Sequence, residues 1–350
     1  MKDLVKEKIL SLKAYQVCKE PMVAKLDANE NPYNLFKQLQ DQYIQNILKI
    51  DINRYPDTDS DDLRREIGGL IGLEKKNIMC GNGSDELIKI IIETFVDKDD
   101  CVIIHTPTFG MYKVFTTIAG GQVVEIQSDA DFAVKTDEII QQANARKAKL
   151  IFLCNPNNPT GNVIPKKDIL KILQSTESVV VVDEAYYEFL EETVIEEVLK
   201  SNRLIVLRTL SKAFALAGAR IGYAAAHESL MDILYCVKPP YNLNVFSQIL
   251  GEIMLQNQEL VAKSVIKIKH EKTKLLERLN GIQNITIFPS GSNFILIKSP
   301  KADCIMKAAF TEGIALRGFE SEGLLKDCIR ITVGSSEENE RFVSLLEKVV

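Results

Sequence analysis

Apolar residues in the middle of this chain gather into short dense runs with polar stretches between them. Runs at 77–80, 101–105, 122–126, 149–154, 178–183, 203–208 and 221–226 have the length and β-branched content of strands. Val179, Val180, Val181 and Val182 form an unbroken apolar row, as expected of a strand covered on both faces. Helical spacing predicts helices over 61–71, 87–95, 110–119, 135–145, 166–175 and 192–200, and over 35–50 nearer the start. Strand and helix alternate, which argues for an α/β fold with a seven-stranded, mostly parallel sheet between helices.

From about Tyr241 the pattern changes. A long helical region spans 244–279 with a break near Asn257. Short strands follow at 286–288, 293–298, 314–317 and 328–333, and a helix at 337–349. This predicts a smaller α+β domain. The expected organisation is an N-terminal arm over 1–30 packing with the small domain, a large domain over 31–243, and a small domain over 244–350. Residues 1–13 read as a short amphipathic helix without the apolar core of a signal peptide.

Composition narrows the class. At 350 residues, 46% hydrophobic and 26% charged, the chain has material for about two domains with a substantial core. Its net charge of −5 has both signs interspersed, so no basic footprint for nucleic acid is present. No apolar run approaches the roughly 20 residues of a membrane span. The seven cysteines are odd in number and form no CxxC, so a reduced, cytoplasmic compartment is expected. His105, His227 and His270 are scattered, and no metal site is expected.

The unusual residues lie where the strands end. Gly81-Asn82-Gly83-Ser84-Asp85-Glu86 follows the first strand and opens a helix, an arrangement that turns backbone N–H groups toward an anion. Later strands run into Thr108-Phe109-Gly110, into the turn 155–161 (Asn-Pro-Asn-Asn-Pro-Thr-Gly), into Asp183-Glu184-Ala185-Tyr186, and into Thr209-Leu210-Ser211-Lys212. In parallel α/β sheets these ends share one crevice.

Lys212, on a loop between two apolar strands, either finds an anion or loses its proton readily, and a neutral lysine forms a Schiff base with an aldehyde. A pyridine aldehyde bearing a phosphate would also need an anion at its ring nitrogen, for which Asp183 is placed. It would need donors to its ring hydroxyl, such as Asn158 and Tyr186. Gly83, Ser84, Thr209, Ser211 and Arg220 would make a phosphate cup, and Phe109 an aromatic face. Each residue has an ordinary reading as well. Lys212 and Arg220 could be surface charges, Asp183 a helix cap, Asn158 a turn residue and Tyr186 a packing residue. Their joint occurrence at successive strand ends favours the cofactor.

The motifs 155–161, 183–186 and Ser211-Lys212 with Arg220 resemble those of the fold-type-I, pyridoxal-phosphate-dependent aminotransferases. The resemblance runs from about Leu26 to Gly334. It is closest to the histidinol-phosphate aminotransferase family of the class II branch, through Leu26-Asp-Ala-Asn-Glu-Asn-Pro32, Arg54-Tyr-Pro-Asp57, residues 81–86, Thr209 to Gly218, and Arg330-Ile-Thr-Val-Gly334. It implies that Lys212 carries the cofactor and moves the substrate proton, that Asp183 pairs with the ring nitrogen, and that Asn158 and Tyr186 tune the ring oxygen. Ser84, Asp85, Thr209, Ser211 and Arg220 would surround the phosphate, and Tyr55 would reach it from the neighbouring subunit of a homodimer. Phe109 replaces an aromatic residue that is commonly tyrosine. Arg330 would hold the glutamate carboxylate. The phosphate of histidinol phosphate would take Arg330 and Arg317, with Tyr15 and Asn29 lining the same pocket. The expected reaction is transamination of histidinol phosphate with 2-oxoglutarate and glutamate in histidine biosynthesis. Threonine-phosphate decarboxylases and aromatic amino-acid aminotransferases share the scaffold. A non-catalytic cofactor-sensing domain is disfavoured, since no DNA-binding segment precedes the fold and the lysine is present.

Overall fold

The computed structural model describes residues 4–10, 12, 20–319 and 323–350. In chain order the first elements are α1 (Glu7–Leu10), β1 (Ala24–Lys25), α2 (Gln40–Ile47), α3 (Asp61–Ile71), β2 (Ile78–Asn82), α4 (Ser84–Phe95), β3 (Cys101–Thr106), α5 (Met111–Ala119) and β4 (Gln122–Gln127). Then come α6 (Thr136–Arg146), β5 (Leu150–Cys154), α7 (Lys166–Ser175), β6 (Val179–Asp183), α8 (Tyr187–Leu190), β7 (Leu204–Thr209), β8 (Ile221–Ala226) and α9 (Glu228–Tyr235). The last third holds α10 (Val245–Gln256), α11 (Gln258–Asn280), β9 (Thr286–Phe288), β10 (Phe294–Lys298), α12 (Ala302–Thr311), β11 (Ile314–Ala315), β12 (Arg317–Gly318), β13 (Cys328–Thr332) and α13 (Ser336–Val349).

Seven strands form one sheet in the order β2-β8-β7-β6-β5-β3-β4. Every neighbouring pair is parallel except those made by β8, which runs antiparallel to both β2 and β7. The valine row of β6 shows why the sheet is buried twice. Val180 and Val182 face one apolar layer, with Ile139, Ile169 and Ile172 of α6 and α7. Val181 faces the other, with Leu87, Ile91 and Tyr112 of α4 and α5. Each fully buried aliphatic side chain contributes about 1.5–3 kcal/mol, so such a strand holds both helix layers at once.

The smaller sheet is antiparallel, in the order β12-β13-β10-β9. Phe294, Ile295 and Ile297 of β10 pack with Ile268 and Leu275 of α11 and with Phe342 and Leu345 of α13. Ser335 opens α13 with a reciprocal capping box to Glu338. The break expected near Asn257 is present, since that residue separates α10 from α11.

Two local expectations change. The run 314–317 is not one strand: β11 pairs with β1, while β12 joins β13. Residues 192–200 hold only a short 3-10 turn, Ile195–Leu199, because the segment before it is tied inward, with Thr193 Oγ1 and the Val194 N–H both donating to Glu184. The N-terminal residues touch both sheets' surroundings. Lys8 donates to the Gly120 carbonyl at the end of α5 (2.9 Å), and β1 lies alongside β11.

Candidate active site

The reversed direction of β8 builds the site. The carboxyl ends of β2, β3, β5, β6 and β7 share one edge of the sheet. An antiparallel β8 begins at that same edge, which places Arg220, just before it, beside Ser84 and Lys212. Ser84, Asp85, Phe109, Cys154, Asn158, Asp183, Ala185, Tyr186, Thr209, Ser211, Lys212 and Arg220 line one cleft there.

Two glycines shape one end. Gly83 has φ +81°, and a Cβ on it would strike the Arg220 guanidinium. A Cβ on Gly222 would collide with the backbone of Gly83 and Ser84. These absent side chains let β8 approach the head of α4, which has no side-chain cap. Its first-turn N–H groups therefore face the cleft as anion donors. Thr209 Oγ1 donates to the Ile221 carbonyl (3.1 Å) and accepts from the Ser211 hydroxyl (2.9 Å), closing the base of the 209–221 loop. Asp85, expected among the residues around the phosphate, lines the cleft, and its carboxylate pairs with Arg220 (3.2 Å).

The asparagine-rich turn divides its work. Asn155 bonds both ways with the Ile164 backbone, at 3.2 and 2.8 Å. Asn157 donates to the Pro107 carbonyl (2.8 Å) and accepts from Thr108 (2.6 Å), pinning the turn to the loop after β3. Asn158 is left to face the cleft. Beneath the turn, the β3–β5 ladder ends at Ile104 and Phe152. His105 Nε2 then accepts the Cys154 N–H (3.3 Å), and burial lowers this imidazole to about 4, so it stays neutral.

Asp183 and Glu184 point opposite ways. Asp183 enters the cleft, where burial raises its carboxyl to about 6 against hydrogen bonds from Tyr112 (2.6 Å) and the Ala185 N–H (3.1 Å). Glu184 faces the interior and forms a buried pair with Arg208 (2.8 Å), whose guanidinium lies 3.6 Å from the Tyr187 ring centre.

Lys212 Nζ donates to the Ala28 carbonyl at 2.9 Å. Burial first, then the nearby Arg330 charge, lowers its pKa to about 8. Ala28 belongs to a strap, residues 26–31, that crosses the cleft. Asn29 Nδ2 donates to Tyr186 Oη (2.9 Å), and the Asn29 N–H donates to Thr332 Oγ1 (2.9 Å). Asn29 thus reaches the site by holding Tyr186. Arg330 donates to Asn158 Oδ1 (2.5 Å) and to the Asp27 carbonyl. Arg317 lies directly across from Arg330 in the β12–β13 register.

Tyr55 does not line this cleft in its own chain. It is 80% exposed and stacks on Tyr241 with ring centres 4.4 Å apart. Tyr15 lies outside the described residues. Cys154, Ala185 and Tyr112 were not singled out from the sequence. Tyr112 carried a faint signal, standing one helical turn after Phe109. No group of three or more metal-ligating side chains occurs among the described residues, and no described helix is long and apolar enough to cross a membrane.

A neutralisable lysine, a buried carboxylate and an anion cradle at one sheet edge are the equipment of a cofactor-dependent group-transfer enzyme, and the chain belongs to the aminotransferase class I and II family, whose model matches residues 21–346. Full-length similarity runs to histidinol-phosphate aminotransferases. That of Clostridium novyi is 39% identical over 347 residues, covering 99% of this chain and 97% of its own. That of Ruminiclostridium cellulolyticum is 40% identical over 343 residues, covering 97% and 96%. The structure of histidinol-phosphate aminotransferase from Sinorhizobium meliloti in complex with pyridoxal-5'-phosphate superposes with a TM-score of 0.90 at 23% identity, covering 99% of this chain and 97% of that one.

Proposed function

We propose that this chain is a pyridoxal-phosphate-dependent aminotransferase that exchanges amino groups between histidinol phosphate and the glutamate/2-oxoglutarate pair, in histidine biosynthesis. Arg317 facing Arg330 is the observation that carries the substrate. Arg330 reaches Asn158 at the cleft, and two planar guanidinium donors on neighbouring strands suit a phosphate dianion. The names of the full-length relatives support the same substrate.

The cleft fits pyridoxal phosphate. The uncapped head of α4, the close approach allowed by Gly83 and Gly222, and the Arg220 cation suit its phosphate. When bound, the cofactor supplies an electrophilic aldehyde and a ring that accepts the electron pair left as the substrate Cα–H bond breaks. Lys212 Nζ would hold the cofactor at its aldehyde carbon and, once free, would carry the proton away from the substrate Cα. Asp183 would keep a proton on the ring nitrogen. Asn158 and Tyr186 would bond to the ring oxygen, Phe109 would cover one ring face, and Ser84, Thr209, Ser211 and Arg220 would hold the phosphate. Asp85 steadies Arg220. Arg330 takes the α-carboxylate of glutamate. Residues 1–30, 31–243 and 244–350 act as arm, cofactor domain and small domain.

The active form is a cytoplasmic homodimer in this reading. Exposed Ile44, Leu48, Ile52 and Tyr55 make an unusually apolar stretch of surface, and Tyr55 would reach the phosphate of the partner's site.

The test is a substrate profile. The cofactor-loaded protein should form glutamate from 2-oxoglutarate with histidinol phosphate, and far less with phenylalanine. Carbon dioxide release from threonine phosphate, without amino transfer from histidinol phosphate, would refute the assignment in favour of a decarboxylase.

A further inference from the structure

Tyr112 is fully buried in α5 and makes three contacts at once. Its hydroxyl donates to Asp183 Oδ2 at 2.6 Å. Its ring stacks on Phe152 of β5, with centres 4.7 Å apart and planes 13° apart. Its edge meets the ring of Phe109 at 5.6 Å and 81°. Phe109 and Asp183 follow β3 and end β6, with β5 between them, so neither sets the other's position directly. Tyr112 touches both.

We propose that Tyr112 is a positioning residue that registers the Asp183 carboxylate against the Phe109 ring and, by donating to that carboxylate, keeps it ionised. The proposal rests on the pyridoxal phosphate reading, in which those two residues meet the nitrogen and the face of one ring.

The direction of donation is determined. Burial, then the adjacent Asp183 charge, holds the Tyr112 phenol well above its ordinary pKa, so it remains protonated and donates. Asp183 Oδ1 receives the Ala185 N–H at 3.1 Å, leaving Oδ2 to Tyr112. Burial pushes the carboxyl up, and these two hydrogen bonds pull it down. The other groups facing Asp183 do not replace the phenol. The Cys154 thiol on β5 is buried and stays neutral. Asp85, at the head of α4, pairs with Arg220, and Glu184 with Arg208; both carboxylates push Asp183 upward and so act against the phenol. Tyr186 is held above its usual pKa by burial and stays neutral too.

Tyr112→Phe keeps both ring contacts and removes only the donor. In cofactor-free protein the infrared band of the protonated Asp183 carboxyl can be followed against pH, and its absence from Asp183→Asn identifies it. The midpoint in Tyr112→Phe is expected at least about one pH unit above wild type, as a lost hydrogen bond to the charged form requires. In the loaded enzyme, the pH dependence of the cofactor absorbance and the acid limb of kcat should move the same way, with kcat recovering at alkaline pH. Coincident infrared midpoints, or a kcat loss uniform across pH, would overturn the proposal. The infrared measurement needs no cofactor. A wild-type protein that takes up no pyridoxal phosphate would therefore refute the underlying reading separately, while the band still decides whether Tyr112 controls Asp183.

Discussion

Lys212 Nζ sits 2.9 Å from the carbonyl oxygen of Ala28, 184 positions earlier in the chain. The contact joins the loop between β7 and β8 to the strap that also holds Tyr186 and Arg330. A backbone carbonyl accepts a hydrogen bond from lysine in either protonation state, so the amine is held in place without being locked as a cation. Burial and the Arg330 charge then lower its pKa to about 8. The rate at which pyridoxal phosphate attaches to the cofactor-free protein should fall about tenfold for each pH unit below 8 and level off above it. Rapid-mixing absorbance would read this, and Lys212→Ala should show no attachment at any pH.

The titration of Asp183 has a consequence for stability. Its folded pKa of about 6 lies above the ordinary 3.8. The folded cofactor-free protein therefore binds the extra proton, and this contribution is fully present below 3.8 and lost as pH rises through 6. The size is of order 3 kcal/mol. Denaturant midpoints between pH 4 and 7 should decline more steeply in wild type than in Asp183→Asn. The same variant should lose most of its turnover, because the ring nitrogen no longer has an anion to hold its proton.

Arg317 and Arg330 should separate by substrate. Removing hydrogen bonds between charged groups costs about 1.5–3 kcal/mol, or roughly 10- to 100-fold in affinity. Arg317→Gln should raise the KM for histidinol phosphate by that range while barely changing the KM for glutamate. Arg330→Gln should raise both. Steady-state kinetics with each substrate varied in turn would check the split.

Gly222→Ala tests the phosphate cradle. The new methyl group would press on the backbone of Gly83 and Ser84, and overpacking of this kind costs about 1–3 kcal/mol. Cofactor affinity by equilibrium dialysis should drop, with Lys212 still present to react.

The buried pair of Glu184 and Arg208 should matter to folding. Arg208→Met would leave a carboxylate buried without its cation, at a cost of about 3–5 kcal/mol. The double variant Arg208→Met, Glu184→Leu should regain much of that loss in urea unfolding.

Much of this protein is legible in its sequence because its signals are local. The seven apolar runs became the seven strands of the main sheet within one or two residues at most ends, since a doubly covered strand must be apolar along its length. The order of polar residues at the strand ends was legible too, because chain direction in a parallel sheet brings those ends to one edge. Where periodicity was weak, elements were missed. α9 and α12 were not anticipated, and 314–317 concealed two strands that belong to different sheets.

By itself the sequence determined the α/β class, the glycine turn, and the presence of Lys212, Asp183, Asn158, Tyr186 and Arg220 at successive strand ends. Only the tertiary structure decided that β8 runs antiparallel, and hence that Arg220 lies beside Ser84. It alone decided that Arg317 faces Arg330, that Asn29 reaches the site through Tyr186, and that Tyr112 bonds to Asp183. The physical reason is distance along the chain. Asn29 and Tyr186 are 157 positions apart, and Tyr112 and Asp183 are 71. Local propensity and spacing hold no record of contacts made only after the sheet has assembled.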